Sequence, residues 1–152
     1  MSAISEGAGR MRNFGFLLRD VYRLCTRRFE HNARELGLTL PLAQCKVLAN
    51  LARNEGISQA RLAELTETDP MTLVRTLDRM QQDGWIERRA DPSDRRAHRL
   101  FLCEPARSIL ERIWTISGQT FDEAFAQLSP HEREQLVGLL ERVHRTLQSP
   151  CG

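Results

Sequence analysis

The residues of this sequence that could do chemistry are arginines on one side of a predicted helix. Thr72, Arg75 and Arg79 are spaced by three and four residues, which places their side chains on the same face. A guanidinium group presents a planar fork of N–H donors that matches phosphate oxygens and the O6 and N7 acceptors of guanine. The pattern indicates nucleic-acid binding, and the alternative is an ordinary solvated helix face.

A second group of arginines follows in the segment 84–102. Gly84 is placed to end the helix, because glycine adopts the left-handed conformation of a helix C-terminus without steric cost. Two short apolar stretches then flank the turn-forming residues at 91–94, which predicts two strands joined by a turn. Arg95 and Arg96 lie at this turn. A basic helix beside a basic hairpin is typical of a winged helix.

Apolar residues at helical spacing predict the elements that must position this segment. In the arginine-bearing helix, Leu73, Leu77 and Met80 fall at i, i+4 and i+7 and form its apolar side. Similar spacing predicts a long first helix over about 11–36 and two long helices after residue 105.

A short helix beginning at Ser58 precedes the arginine-bearing helix, and the polar turn 66–69 separates the two. Pro70 lies in the first turn of the second helix, with Thr68 or Asp69 as its N-cap. Two helices joined by such a turn form the helix-turn-helix pattern.

Composition limits the class of protein only in part. The 152 residues carry 22 Lys+Arg against 20 Asp+Glu, so the net charge of +2 does not by itself indicate nucleic-acid binding. Lys46 is the single lysine, and a GC-rich genome is an alternative explanation for the arginine excess. No apolar run reaches the roughly 20 residues of a membrane span. The N-terminal segment also lacks the apolar region of a signal peptide, so we expect a cytoplasmic location and no membrane partner.

Motifs for catalysis and for metal binding are missing from the sequence. It contains no G-x-S-x-G, no glycine-rich phosphate loop and no convergent acid/base pair, so we predict no enzymatic activity. The four cysteines form no C-x-x-C pair, and the four histidines form no ligand pair at i, i+4. We therefore predict neither a metal site nor a cofactor.

Three segments resemble the MarR family of bacterial transcriptional regulators, and its SlyA-like branch most closely. They are Leu-Val-Arg-Thr-Leu-Asp at 73–78, Gly-Trp-Ile-Glu-Arg at 84–88 and Asp-Pro-Ser-Asp-Arg-Arg-Ala-His-Arg-Leu at 91–100. The wing signature of the family, D-x-R-x-x-R/K-hydrophobic, is met by Asp94, Arg96, Arg99 and Leu100. The order of elements is also similar over nearly the whole chain.

The resemblance implies a fold class that is mainly α with a minor α+β part: a winged helix-turn-helix core with flanking N- and C-terminal dimerisation helices. It implies a single domain over 1–152, a winged core at about 39–103, and dimerisation helices at about 11–36 and 105–148. Two such chains would form a homodimer that holds its winged cores over successive turns of double-stranded DNA. We therefore expect a palindromic operator with half-sites roughly 10 bp apart.

By position in the family pattern, the arginine-bearing helix that begins at Pro70 enters the major groove and the wing tip enters the minor groove. The DNA-binding residues that this implies are Ser58, Gln59, Pro70, Met71, Thr72, Arg75, Arg79, Arg95 and Arg96. Arg75 would read guanine through two hydrogen bonds, and Arg95 would enter a narrow minor groove. Asp69 would form an ion pair with Arg96 and so orient the wing against the helix.

Many proteins of this family are released from DNA by small aromatic or phenolic anions, which implies a ligand pocket. Arg19, Tyr22 and Cys45 would line it, with Arg19 pairing a carboxylate and Tyr22 stacking or donating a hydrogen bond. The alternatives are an interhelical salt bridge for Arg19 and core packing for Cys45.

The function that we carry forward is a DNA-binding transcriptional regulator, and a repressor in particular. Two alternatives stay open. One is a thiol-based redox sensor that reacts at Cys25, with Arg28 as its positive neighbour. The other is a winged helix that binds protein instead of DNA. For Arg88 and Arg89 we predict solvation at a strand edge rather than contacts with DNA.

Overall fold

The computed structural model of the chain describes residues 9–148, so the two ends of the predicted 1–152 domain lie outside it. Its elements are, in order, α1 (Phe14–Glu35), α2 (Leu42–Arg53), α3 (Gln59–Thr66), α4 (Pro70–Gln82), β1 (Ile86–Ala90), β2 (His98–Leu102), α5 (Ala106–Ala124) and α6 (Pro130–Gln148). The two strands pair antiparallel. This mainly helical fold with a small two-stranded wing confirms the predicted fold class.

Helices α3 and α4 begin at the polar caps that the sequence predicts. The Ser58 hydroxyl oxygen accepts a hydrogen bond from the N–H of Arg61 at 3.1 Å. Asp69, rather than Thr68, caps α4 by accepting from the N–H of Thr72 at 3.0 Å. Each cap satisfies an N–H group that has no partner inside its own helix.

The turn between α3 and α4 passes through a left-handed residue. Glu67 has a φ of 50° and a ψ of 41°, a conformation that costs a side-chain-bearing residue roughly 1–2 kcal/mol. The N–H of Glu67 donates to the carbonyl of Glu64 at 3.2 Å, and the N–H of Thr68 donates to the carbonyl of Ala63 at 3.0 Å. These bonds close α3 and direct the chain into α4.

The chain divides into two compact units, one of which is Thr26–Ser117. Among the described residues, the buried apolar core lies in this unit, and the large side chains that are fully buried there are Leu48, Leu51, Leu62, Leu73, Leu77, Met80, Ile86, Leu100 and Ile116. The burial of the three α4 residues in this set confirms the predicted apolar stripe. Gly84 has a φ of +75° directly after α4 and also ends that helix as predicted.

The wing is anchored at its base to the start of α3. Strand β1 pairs with β2 in a register that runs from Ile86 opposite Leu102 to Ala90 opposite His98. The residues in front of α3 form an isolated β-bridge with β2, between Ser58 and Arg99, and the Gly56 N–H donates to the Leu100 carbonyl at 2.8 Å. These bonds therefore fix the base of the hairpin against the start of α3.

The second unit contains the described parts of 1–25 and 118–152. Helix α6 begins with a capping box, because the N–H of Ser129 donates to the Glu132 carboxylate at 2.8 Å and the Ser129 hydroxyl accepts from the N–H of Glu132 at 3.3 Å. These bonds lower the pKa of Glu132. None of the α6 residues is buried. The helices of the described chain are too short or too polar to cross a membrane.

Candidate nucleic-acid interface

One side of α4 is exposed and carries the residues predicted to meet DNA. Thr72, Arg75 and Arg79 are all exposed, while the neighbouring apolar stripe is buried. Within residues 9–148, the side chain of Arg75 takes part in no hydrogen bond or ion pair. Arg79 pairs with Asp83 at 3.3 Å, although its side chain remains 69% exposed. The helix therefore presents one uncommitted and one loosely paired guanidinium group.

The first turn of α4 is exposed as well. Pro70 occupies the first helical position, and Met71 is 65% exposed, which is unusual for so apolar a side chain. At the start of α3, Ser58 and Gln59 are half-buried, and the Ser58 cap leaves other N–H groups of that first turn available. Both helix starts carry the positive end of a helix dipole.

The wing tip is organised around Asp91. Its carboxylate accepts hydrogen bonds from the Ser93 hydroxyl at 2.7 Å and the Ser93 N–H at 2.8 Å. It also accepts from Nε of Arg99 at 2.9 Å, so the carboxylate bridges the turn and strand β2. These hydrogen bonds, those from Ser93 first, lower the pKa of Asp91 to about 2. The carboxylate is therefore ionised at any pH above about 4.

Arg95 and Arg96 are exposed at the tip of the wing. The backbone N–H of Arg96 donates to the Asp94 carboxylate at 2.9 Å, and the Ala97 N–H donates to the Asp94 carbonyl at 3.1 Å. These contacts fix the backbone of the turn. Both guanidinium groups point from a defined loop and are available to an anionic partner.

The structure does not bring Asp69 and Arg96 together, and their predicted ion pair is absent from the described part of the chain. The Asp69 carboxylate is engaged locally, since it accepts from the N–H of Thr72 at 3.0 Å and from the hydroxyl of Thr72 at 3.3 Å. The prediction is therefore corrected: in this structure Asp69 is a helix cap, and another arginine ties the wing to α4.

That arginine is Arg88, and the prediction of a solvated strand-edge residue at this position is wrong. Its side chain is only 16% exposed, and its Nη2 lies 2.8 Å from a carboxylate oxygen of Asp78. Its Nη1 donates to the side-chain oxygen of Gln81 at 2.8 Å. A signal was present in the sequence: Arg88 follows buried Ile86 by two residues and so shares its face of the strand.

Arg89 comes closer to the prediction. It is 59% exposed and forms an ion pair with Glu87 on the same strand. Its guanidinium group also lies over the ring of Phe101, 4.0 Å from the ring centre, in a cation–π contact. Arg89 thus lies on the outer face of the wing hairpin.

The residues predicted to line a ligand pocket lie in different environments. Cys45 is 3% exposed in the core, where its thiol donates to the Leu40 carbonyl at 3.9 Å and burial raises its pKa to about 11. Core packing, the alternative that we stated for Cys45, is what the structure shows. Arg19 and Tyr22 are exposed residues of α1, and their ligand role stays a prediction.

A cavity of about 550 Å³ opens elsewhere in the unit Thr26–Ser117. Residues that line it include Leu38, Pro41, Gln44, Arg79, Asp83, Trp85, Ile109 and Arg112. Nη2 of Arg112 donates to the carbonyl of Leu36 at 3.2 Å, which fixes the direction of its side chain. The lining combines an aromatic residue, Trp85, with two arginines, of which Arg79 is paired with Asp83, and this combination suits a small aromatic anion.

The described cysteines, Cys25, Cys45 and Cys103, are free thiols, and Cys151 lies outside the described residues. Cys25 is half-buried, and its reactivity stays a prediction. Burial, and then the negative charge of Glu87, raises the pKa of Cys103. Within residues 9–148, no three His, Cys, Asp or Glu side chains are grouped as metal ligands.

The low pKa of Asp91 predicts a loss of stability in acid. Because its pKa is about 2 in the folded chain against a usual 3.8, the contribution of the carboxylate to the free energy of unfolding is complete above about pH 4 and disappears as the pH falls towards about 2. We expect Asp91→Asn to lower the urea midpoint at neutral pH, and the gap to wild type to narrow as the pH falls from about 4 to about 2. Ser93→Ala should show a smaller gap, and a gap that is constant with pH would contradict the assignment.

Comparisons with known proteins agree with this geometry. Residues 40–98 match the model of the MarR family. A putative transcriptional regulatory protein for the hcr operon of Thauera aromatica is 33% identical over 99 residues, which are 65% of this chain and 60% of that protein. The chain thus spans less than two thirds of the length of this curated relative.

Solved structures extend the similarity to most of the chain. A mutant of MarR from E. coli in complex with operator DNA is 27% identical, with a TM-score of 0.67 over 88% of this chain and 95% of that one. BpsR of Bordetella bronchiseptica, whose DNA binding is regulated by 6-hydroxynicotinic acid, is 26% identical, with a TM-score of 0.70 over 87% of this chain and 98% of that one. The family match over residues 40–98, these similarities and the winged fold together show that the chain is similar to transcriptional regulators of the MarR family.

Proposed function

We propose that this protein is a bacterial transcriptional regulator, acting as a repressor, that binds palindromic operator DNA as a homodimer. The observation that carries the proposal is the pairing, in one compact unit, of the exposed α4 arginine face with an ordered wing whose tip exposes two more arginines. The first suits the major groove and the second suits the minor groove. The similarity to MarR from E. coli, which has been solved with operator DNA, supports the same function.

Arg75 is the residue that we propose to read base edges. It is exposed and has no ion-pair partner in the described chain, so no internal contact must be broken before it binds guanine. Arg79 would first have to loosen its contact with Asp83, which fits a phosphate contact better. Met71 and Thr72, exposed in the first turn of α4, would contact base edges next to Arg75, with Pro70 beside the backbone.

Phosphate contacts would fix the register of the protein on the duplex. Ser58 and Gln59 lie at the start of α3, where free N–H groups and the helix dipole favour an anion. Arg95 and Arg96 would bind the minor groove and its flanking phosphates from the wing tip. These contacts carry little sequence information but dominate the salt dependence of binding.

A second copy of this chain is the partner that we propose for the terminal helices. Helix α6 has no buried residue, although it carries many large apolar side chains. Those that are exposed are Leu136, Val137, Leu139, Leu140, Val143 and Leu147. On α1, Phe16 is 76% exposed and Leu17 is 64% exposed. Isolated helices depend on packing of their apolar face, and a two-fold dimer would supply it while matching a palindromic site.

DNA binding is tested by fluorescence anisotropy with a duplex that the wild-type protein selects from a random library. We expect Arg75→Ala to lose about 1–3 kcal/mol and to relax specificity at one operator position. Arg95→Ala should weaken binding to all duplexes and lower the salt slope by about one.

Arg107→Ala is the matched control, because Arg107 is an exposed arginine at the start of α5 that pairs only with nearby Glu104. Wild-type affinity in both test variants would refute the assigned roles. If the wild type binds no duplex at low or high salt, the protein-interaction alternative replaces the proposal.

Dimer formation is tested by sedimentation of the 17.5 kDa chain. We expect a dimer for the wild type, and a shift towards monomer for Leu140→Glu, because a carboxylate cannot be buried in an apolar interface without a large cost. Gln135→Glu places the same charge on an exposed polar position of the same helix and should stay dimeric. A wild type that sediments as a monomer at concentrations that bind DNA would rule out the dimer.

We further propose that a small aromatic or carboxylate ligand releases the DNA, as the similarity to BpsR supports. The cavity beside Trp85 offers Arg112 as the partner of a carboxylate, whereas the family pattern assigns Arg19 and Tyr22. With 6-hydroxynicotinic acid and benzoate as probes, we expect a higher Tm and weaker operator binding. Loss of this response in Arg112→Met would assign the cavity, and loss in Arg19→Ala would assign the family pocket. A wild type that does not respond to either probe contradicts this class of ligand.

A further inference from the structure

We propose that Arg88 is a positioning residue that fixes the wing relative to α4, so that the wing and the helix reach their two grooves together. The inference rests on the proposed DNA-binding function. Arg88 does not itself contact DNA in this scheme. Its contribution is to make the exposed arginines of α4 and of the wing tip parts of one rigid surface.

The contacts of Arg88 join strand β1 to α4, the helix that precedes it in the chain. Nη2 lies 2.8 Å from the Asp78 carboxylate and 3.4 Å from the carbonyl of Val74, and Nη1 lies 2.8 Å from the Gln81 side-chain oxygen. With 16% of its side chain exposed, Arg88 is well shielded from water, although Asp78 is 54% exposed. We call these four residues the Arg88 cluster.

The Arg88 cluster also sets the rotation of α4 about its axis. Val74, Asp78 and Gln81 fall at i, i+4 and i+7 and so form one stripe of the helix. Arg75 and Arg79 each come one residue later, about 100° further round. A contact that fixes the first stripe against β1 therefore also fixes the direction in which the two arginines point.

Only an arginine can make this set of contacts. Its planar fork donates from two different nitrogens to acceptors on two successive turns of α4, which a single ammonium group cannot do. The base of the wing is held by backbone bonds near Leu100, but those bonds reach the start of α3 and not α4. Arg88 thus supplies a polar connection between β1 and α4. The predicted pair of Asp69 and Arg96 does not form among the described residues and so makes no such connection.

The test is a double-mutant cycle in operator binding, with Arg95→Ala as the probe of the wing. In the wild type we expect Arg95→Ala to weaken binding about fivefold to tenfold. In an Arg88→Met background the wing loses its side-chain contacts with α4 and the position of its tip relative to that helix is less well fixed, so the same change should weaken binding less than about twofold. Thermal unfolding of each variant measures its folded fraction.

Arg88→Lys separates geometry from charge. It keeps the positive charge near the DNA but loses the two-pronged contact, so we expect it to behave like Arg88→Met. Wild-type affinity in Arg88→Lys, or a cost of Arg95→Ala that is the same in every background, would overturn the positioning role. If Arg88→Met does not fold, Asp78→Asn is the substitute, because it weakens the Arg88 cluster from the side of α4. In this background too, Arg95→Ala should weaken binding less than it does in the wild type.

The two proposals fail in different ways. If the wild type binds no duplex, the DNA-binding function itself is wrong and the positioning role falls with it. If the wild type binds but the cycle shows no coupling between Arg88 and Arg95, only the positioning role is wrong.

Discussion

Burial of one stripe of α4 is the constraint on which the rest of the candidate surface depends. Leu73, Leu77 and Met80 are fully buried, and their burial stabilises the unit by roughly 1.5–3 kcal/mol for each side chain. Because this stripe is directed into the core, helical geometry places Arg75 and Arg79 on the side of α4 that faces solvent. The same core contains Ile86 and Leu100 at the base of the wing, so the helix and the hairpin pack against the same buried side chains.

Local pattern was sufficient to predict much of this arrangement. The caps at Ser58 and Asp69 and the glycine stop at Gly84 depend on residues within a few positions of each other, and so does the apolar stripe of α4. The role of Arg88 was missed because it depends on how β1 lies against α4, a relation between elements that no local period encodes. Cys45 shows the same limit, since its place in the core follows from the packing of several elements.

The winged unit and helix α6 differ in how far their apolar side chains are buried. The winged unit has a buried apolar core, whereas α6 has no buried residue and exposes its large apolar side chains. This difference has a physical consequence for the proposed DNA-binding function. Because each winged unit is stabilised by its own core, the two copies of the proposed dimer could change their separation without disturbing the arginines that we propose to contact DNA.

The exposed cationic side chains of α4 and of the wing are all arginine, and the one lysine of the chain, Lys46, lies in α2. A guanidinium group stays protonated at any pH a cell experiences and is not a substrate for lysine acetylation. The positive charge of this surface is therefore insensitive to acidity and to the acylation state of the cell. Its electrostatic attraction for a polyanion can be tuned only by salt, by arginine methylation or by moving the elements that carry it.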